Sequence, residues 1–145
     1  MTYTWCVEGT YQVIAFYYVL GHPILGAGLD TGLLAMNQVR GNLWAQVHNT
    51  YLNYALDLGL PGLALFVALQ ATSFRSARRV ECMATEAAGA ELKAFAAGVR
   101  VSLGGFALAA FFHPVPYHFY FYYIAGLSVA VKTTAERQFG PPATA

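Results

Sequence analysis

Residues 58–74 read LGLPGLALFVALQATSF, and Arg75, Arg78 and Arg79 follow almost at once. The stretch contains no charged side chain. A helix that crosses the hydrocarbon core of a bilayer needs about 20 predominantly apolar residues, with a range of roughly 17–25. The sequence therefore predicts a transmembrane helix over 58–74 whose end is marked by a basic cluster.

Two further stretches have the same character: residues 92–112, interrupted by Arg100, and residues 116–131, rich in tyrosine and phenylalanine. The whole chain is 57% hydrophobic and only 10% charged, whereas soluble domains carry about 25% charged residues. These features predict an all-α, polytopic integral membrane protein with about three transmembrane helices. Residues 1–57 add a periplasmic or interfacial helical segment.

The distribution of basic residues predicts the orientation, because Lys and Arg accumulate in cytoplasmic loops. Six of them lie between the first two spans or after the third: Arg75, Arg78, Arg79, Lys93, Lys132 and Arg137. Only Arg40 falls on the other side. Residues 75–93 and the tail 133–145 are therefore predicted to be cytoplasmic, and residues 1–57 and 113–117 to face outward. With no span ahead of 1–57, we expect the chain to be the C-terminal part of a longer protein.

Residues 11–34 allow two interpretations. The segment is apolar enough for an additional span, but Pro23 and several glycines interrupt it. Proline disfavours helix at the residue before it. We favour an interfacial helix over 11–20 that ends before Pro23.

Polar residues recur in the stretch 47–62, VHNTYLNYALDLGLPG. Asn49, Asn53 and Asp57 follow one another at helical spacing and would share one face, with His48 beside the first turn. Polar groups near a membrane tend to face a bundle interior or a wet cavity. A purely structural interpretation has His48 at the interface and Asn49 as a helix N-cap.

Two glycines close the same stretch. Gly59 and Gly62 flank Pro61, and such a combination permits a bend between helices. The pattern predicts that the polar helix bends here into the first span.

His48-Asn49, followed by Gly59 and Gly62, resembles the signature of the bacterial O-antigen ligase family, in which His and then Asn, Ser or Gln precede a Gly-x-x-Gly. Upstream, residues 22–28, HPILGAG, are similar to the family's Asn/Asp/His-Pro-Leu-hydrophobic-Gly-x-Gly segment. Two further spans joined by a short outer turn complete the resemblance, which covers roughly residues 10–132.

The resemblance implies an inverting, metal-independent transfer of a polysaccharide from undecaprenyl pyrophosphate to a lipid or glycan acceptor, at the periplasmic face of the bacterial inner membrane. It makes His48 the general base, places Arg40 and Asn49 at the substrate, and gives Asp57, Gly59 and Gly62 supporting roles. Histidine suits proton transfer near neutral pH, and Arg binds phosphate bidentately. No cofactor is implied. The N-terminal transmembrane half, with its own arginines, is expected to be required.

Three alternatives stay open: a glycan polymerase of the same superfamily, a non-catalytic membrane scaffold, or a transporter fragment with Arg100 on its path. Arg100 could also extend its guanidinium group to the cytoplasmic surface or pair with a carboxylate on a span outside this chain. His22, His113 and His118 match no metal-ligand spacing, and the chain has no basic nucleic-acid patch.

Overall fold

The computed structural model describes residues 3–32, 34–35, 47–83 and 89–140, and for residues 3–10 it describes the backbone alone. These residues contain four long α-helices and no strand: α1, Tyr3–Gly21; α2, Thr50–Met83; α3, Ala90–Ala109; and α4, Phe119–Phe139. The predicted all-α class is confirmed.

Two of the helices in the described part of the chain, α2 and α3, are long and apolar enough to cross a membrane. In the most apolar 18-residue stretch of each helix, only 33% of α2 and 17% of α3 is buried within the chain. The third predicted span, 116–131, is also helical, since α4 covers most of it. However, α4 does not meet the same criterion of length and apolarity, and it extends beyond 131 to Phe139.

The first helix ends where the sequence predicts. It stops at Gly21, just before Pro23, and residues 22–31 form turns. A continuous helical span over 11–34 is therefore wrong. The helix begins at Tyr3, well before the predicted start at residue 11, and residues 3–10 contain no proline that would interrupt it.

The chain divides into two compact units, Met1–Val67 with Leu108–Tyr117, and Ala68–Ala107 with His118–Ala145. The division falls inside α2, beyond the boundary predicted at residues 57 and 58. Charge is divided unequally between the units. Of the eight Lys and Arg residues, all but Arg40 belong to the second unit.

In the first unit, α1 packs against the beginning of α2. Its core consists of small and medium apolar side chains: Ala15, Val19, Val47, Ala55 and Leu56. Burial of such side chains contributes about 25 cal/mol per Å² of apolar surface removed from water. This packing holds residues 22–32, which leave α1, beside the middle of α2.

In the second unit, three helix ends share one small core, formed by Val80 of α2, Ala96 of α3, and Val131 and Ala135 of α4. The other ends of α3 and α4 meet at Phe106 and Phe121, whose ring centres are 5.1 Å apart. The end of α2 thus lies beside the start of α3 and the end of α4. Within this unit, α2 and α4 run in the same direction and α3 runs opposite to both.

Arg100 has its partner in this chain. Its Nε lies 2.6 Å from Oε1 of Glu81 near the end of α2, and its Cζ lies 6.0 Å from the ring centre of Phe74. The prediction that Arg100 pairs with a carboxylate is confirmed, and the carboxylate in the described residues is that of Glu81. The antiparallel packing of α2 and α3 brings together two residues that are 19 positions apart.

Candidate functional site

The candidate site begins at the N-terminus of α2. The helix starts at Thr50, so His48 and Asn49 precede it. Asn49 Oδ1 accepts a hydrogen bond of 3.0 Å from the backbone N–H of Leu52. Asn49 is therefore a helix N-cap, a position in which an asparagine side chain satisfies one of the unpaired first N–H groups. The cap holds the backbone next to His48, whose side chain is exposed.

The predicted polar stripe is shorter than expected, because Asn49 lies outside the helix. Asn53 and Asp57 lie within it, and both side chains are buried. Asn53 Nδ2 donates a hydrogen bond of 2.9 Å to the carbonyl of Val47. The residues on both sides of His48 are thus tied to the first two turns of α2.

The predicted bend in α2 is confirmed at Gly59, which has φ 71° and ψ −173° inside an otherwise helical run. In an unbroken helix, the N–H of Leu60 would donate to the carbonyl of Leu56. The next carbonyl, that of Asp57, would face residue 61, a proline without an N–H. The bend therefore leaves two carbonyls and one N–H to be satisfied from outside the helix.

The segment 22–28 supplies all three missing partners. Ala27 N donates to Leu56 O at 2.7 Å, and Gly28 N donates to Asp57 O at 2.9 Å. Leu60 N donates to the carbonyl of Pro23 at 2.8 Å. The two segments that resemble the O-antigen ligase motifs, which are well separated in sequence, are therefore in direct contact at the bend.

The glycines at this contact are required by geometry. Gly26 has φ 63°, and a Cβ on it would lie 2.6 Å from Leu56 O and 2.7 Å from Asp57 O. A Cβ on Gly59, with φ 71°, would lie 2.5 Å from Ile24 O. Real Cβ atoms do not approach backbone this closely, and a positive φ strains residues that have a side chain.

Asp57 joins three segments of the first unit. The residue is only 6% exposed. Its Oδ1 accepts a hydrogen bond of 2.9 Å from the N–H of Gly32, and its Oδ2 accepts one of 2.9 Å from the hydroxyl of Tyr117. This carboxylate therefore positions the 22–32 segment and the outer turn. Its supporting role towards His48 stays a prediction.

The outer turn packs along the same half of α2. Thr50 is fully buried; its N–H donates to Ala110 O at 2.8 Å, and its Oγ1 donates to His113 O at 2.6 Å. One turn further along, the hydroxyl of Tyr54 donates to Pro116 O. Thr50, Tyr54 and Tyr117 are not among the site residues predicted from the sequence. The i, i+4, i+7 spacing of polar groups at 50, 54 and 57 is the pattern that could have revealed this face.

Comparison with protein-family models, with curated proteins and with solved structures finds no match. The functional assignment therefore depends on the two motif segments and on the contacts between them.

The remaining candidate residues are placed as follows. A Cβ on Gly62 would collide with the side chain of Leu58, so glycine is also needed one turn past the start of the bend. Arg40 lies outside the described residues. His22 is exposed and stacks on Tyr18, with ring centres 4.5 Å apart. Within the described ranges, no group of three or more His, Cys, Asp or Glu side chains could hold a metal ion.

Replacing Tyr117 with phenylalanine tests the role of Asp57. The change removes the hydroxyl donor and leaves the buried carboxylate with fewer partners, so we expect a loss of about 1–2 kcal/mol in the free energy of unfolding. The measurement is thermal unfolding of the purified chain in detergent, followed by circular dichroism. Tyr123→Phe, at a residue that is 68% exposed, is the matched control. Equal midpoints for the two variants would show that the Tyr117–Asp57 bond contributes nothing.

Proposed function

We propose that this chain is the C-terminal part of a bacterial inner-membrane glycan ligase, which transfers a polysaccharide from undecaprenyl pyrophosphate to an acceptor sugar. One observation carries the proposal. Two segments that resemble separate motifs of the O-antigen ligase family are joined by three backbone hydrogen bonds at the bend of α2. Each motif satisfies backbone groups that the other leaves unpaired, which gives a physical reason for their occurrence together.

Placement in a membrane is supported by exposed apolar surface. Large side chains on α2 and α3 are open to the surroundings, among them Leu65, Val101 and Leu108. Soluble monomers rarely expose extended apolar patches. In a membrane protein, lipid covers such patches. The alternating directions of α2, α3 and α4 in the second unit fit three successive crossings of a bilayer.

The orientation is supported by charge. Basic residues accumulate on the cytoplasmic side of a membrane. Arg75, Arg78, Arg79, Lys93, Lys132 and Arg137 lie towards the end of α2, the start of α3 or the end of α4. In the proposed orientation these helix ends are cytoplasmic, and residues 1–57, with His48, face the periplasm. This is the side on which polysaccharides linked to undecaprenyl pyrophosphate are transferred in the family that the chain resembles.

In the proposed reaction, the imidazole of His48 takes the proton from an acceptor hydroxyl. The hydroxyl oxygen forms a bond to the anomeric carbon of the donor sugar while the bond from that carbon to the pyrophosphate oxygen breaks. Undecaprenyl pyrophosphate leaves, and the configuration at the anomeric carbon inverts. Asn49 lies beside the base and close to the substrate. Arg40 and cations from the N-terminal half of the longer protein balance the charge of the leaving group.

The proposal is tested with the longer protein, purified in detergent and supplied with an undecaprenyl-pyrophosphate glycan and a lipid-linked acceptor sugar. We expect glycan to appear on the acceptor in the presence of a metal chelator and without nucleotide. A ladder of growing lipid-linked glycans in the absence of acceptor would identify a polymerase of the same superfamily instead. If neither product forms, and the gene fails to restore glycan attachment in a ligase-deficient strain, the proposal is wrong.

A further inference from the structure

A basic cleft and an apolar groove lie side by side in the second unit, both between α2 and α4. The cleft has a volume of about 220 Å³ and is lined by Arg75, Arg79 and Lys132, together with Thr72 and Ser76. The groove has a volume of about 390 Å³. Thr72 and Ser76 line both, so the cleft and the groove adjoin.

The cleft is suited to an anion. Its lining contains three cationic side chains and no carboxylate. Lys132 Nζ also lies 3.7 Å from Oε1 of Glu136 on its own helix, which leaves the two arginines as the principal cations. The hydroxyls of Thr72 and Ser76 donate to backbone carbonyls of α2. An anion in the cleft is therefore held by guanidinium and ammonium groups, which bind phosphate strongly.

The groove is suited to a hydrocarbon chain. Its lining is mostly apolar and includes Leu69, Tyr122, Ala125, Gly126 and Val129. Its volume lies within the roughly 300–1,000 Å³ of typical ligand pockets. Because α2 and α4 run in the same direction, the groove extends from the cleft back along both helices. In the proposed orientation, this direction leads from the cytoplasmic surface towards the centre of the membrane.

We propose that the cleft and groove together bind one anionic phospholipid of the cytoplasmic leaflet, with its phosphate among Arg75, Arg79 and Lys132 and an acyl chain in the groove. Basic pockets between transmembrane helices on the cytoplasmic side bind lipid headgroups in this way. The charge of the cleft selects the headgroup, and the adjoining groove distinguishes a lipid from free phosphate. This site lies in the second unit, whereas His48 belongs to the first.

The first experiment removes the charge. The purified chain in neutral detergent is titrated with phosphatidylglycerol and with phosphatidylcholine, and native mass spectrometry counts the bound lipids. We expect the triple variant Arg75→Gln, Arg79→Gln, Lys132→Gln to bind phosphatidylglycerol at least about tenfold more weakly than the unmodified chain. The matched control, Arg78→Gln, Lys93→Gln, Arg137→Gln, removes the same charges outside the cleft and should retain most of the affinity. Equal losses in the two triple variants would overturn the proposal.

The second experiment fills the groove. A Cβ on Gly126 meets no atom within 4 Å, so Gly126→Phe can place a ring in the groove and leave the cations unchanged. We expect it to weaken phosphatidylglycerol binding about tenfold, by excluding the acyl chain from its apolar surface. Gly98→Phe, at an equally open position on α3, should have no effect. Circular dichroism confirms the helical content of every variant.

Competition with inorganic phosphate tells whether the anion in the cleft is a phospholipid headgroup or free phosphate. If it displaces phosphatidylglycerol at millimolar concentration and Gly126→Phe binds lipid normally, the cleft is a free-phosphate site and the lipid proposal is wrong. The proposal rests on the membrane placement argued above and not on glycan transfer. His48→Ala should bind phosphatidylglycerol like the unmodified chain, so failure of lipid binding and failure of catalysis can be told apart.

Discussion

In the proposed ligase, replacing His48 with alanine should lower glycan transfer by about 10²–10⁴-fold, the usual contribution of a general base. The acceptor hydroxyl would then lose its proton only to water, while the donor lipid still binds. The measurement is the initial rate of glycan attachment at saturating donor and acceptor. We expect kcat to fall much more than the Michaelis constant for the donor changes, because the imidazole acts on the acceptor proton in the transition state.

The matched control is His118→Ala. His118 is also an exposed histidine, and although it occupies the N-cap position of α4, its side chain makes no capping hydrogen bond. This variant should transfer glycan at nearly the unmodified rate and insert into membranes to the same extent as His48→Ala. Retention of transfer by His48→Ala, with normal insertion of both variants, would remove His48 from the mechanism.

Replacing Gly26 with alanine should produce the largest loss of stability. The new Cβ would be forced to within 2.6 Å of Leu56 O at a φ of 63°. For a residue with a side chain, the left-handed backbone conformation has a free-energy penalty of roughly 1–2 kcal/mol. Moving the loop to relieve the contact would also weaken the hydrogen bonds from Ala27 and Gly28, each worth about 1 kcal/mol. We expect a total loss on the order of 3 kcal/mol, seen as a lower thermal midpoint in detergent.

Gly21→Ala is the control for Gly26→Ala, because a Cβ on Gly21, the last residue of α1, meets no atom within 4 Å. It should leave the midpoint almost unchanged. Gly59→Ala should act on the same contact, since its Cβ would press on Ile24 O. Combining it with Gly26→Ala should therefore cost less than the sum of the single changes. Strict additivity would show that the two glycines do not serve one interface.

The features that depend on a few neighbouring residues could be predicted from the sequence. The end of α1 before Pro23 follows from the restriction that proline places on the residue before it. The bend in α2 follows from Gly59 and Pro61, since one permits a positive φ and the other removes a helical N–H. The apolar stretches predicted helices over 58–74, 92–112 and 116–131. The structure is helical over the first stretch, up to Ala109 in the second and from Phe119 in the third.

The partners of the polar side chains could not be predicted in the same way. The sequence showed that Asp57 and Arg100 stand out in apolar surroundings. Nothing local indicated that Asp57 would bind Gly32 and Tyr117, or that Arg100 would pair with Glu81. Such pairs form between segments far apart in the chain, and the choice of partner depends on how the helices pack and in which direction each one runs.

The sequence by itself determined where α1 ends, where α2 bends and which motifs are present. Only the tertiary structure decided that the 22–28 segment satisfies the open backbone groups at the bend of α2. The physical reason is that a helix break creates unpaired N–H and C=O groups locally, whereas the groups that satisfy them must come from whichever segment packs there.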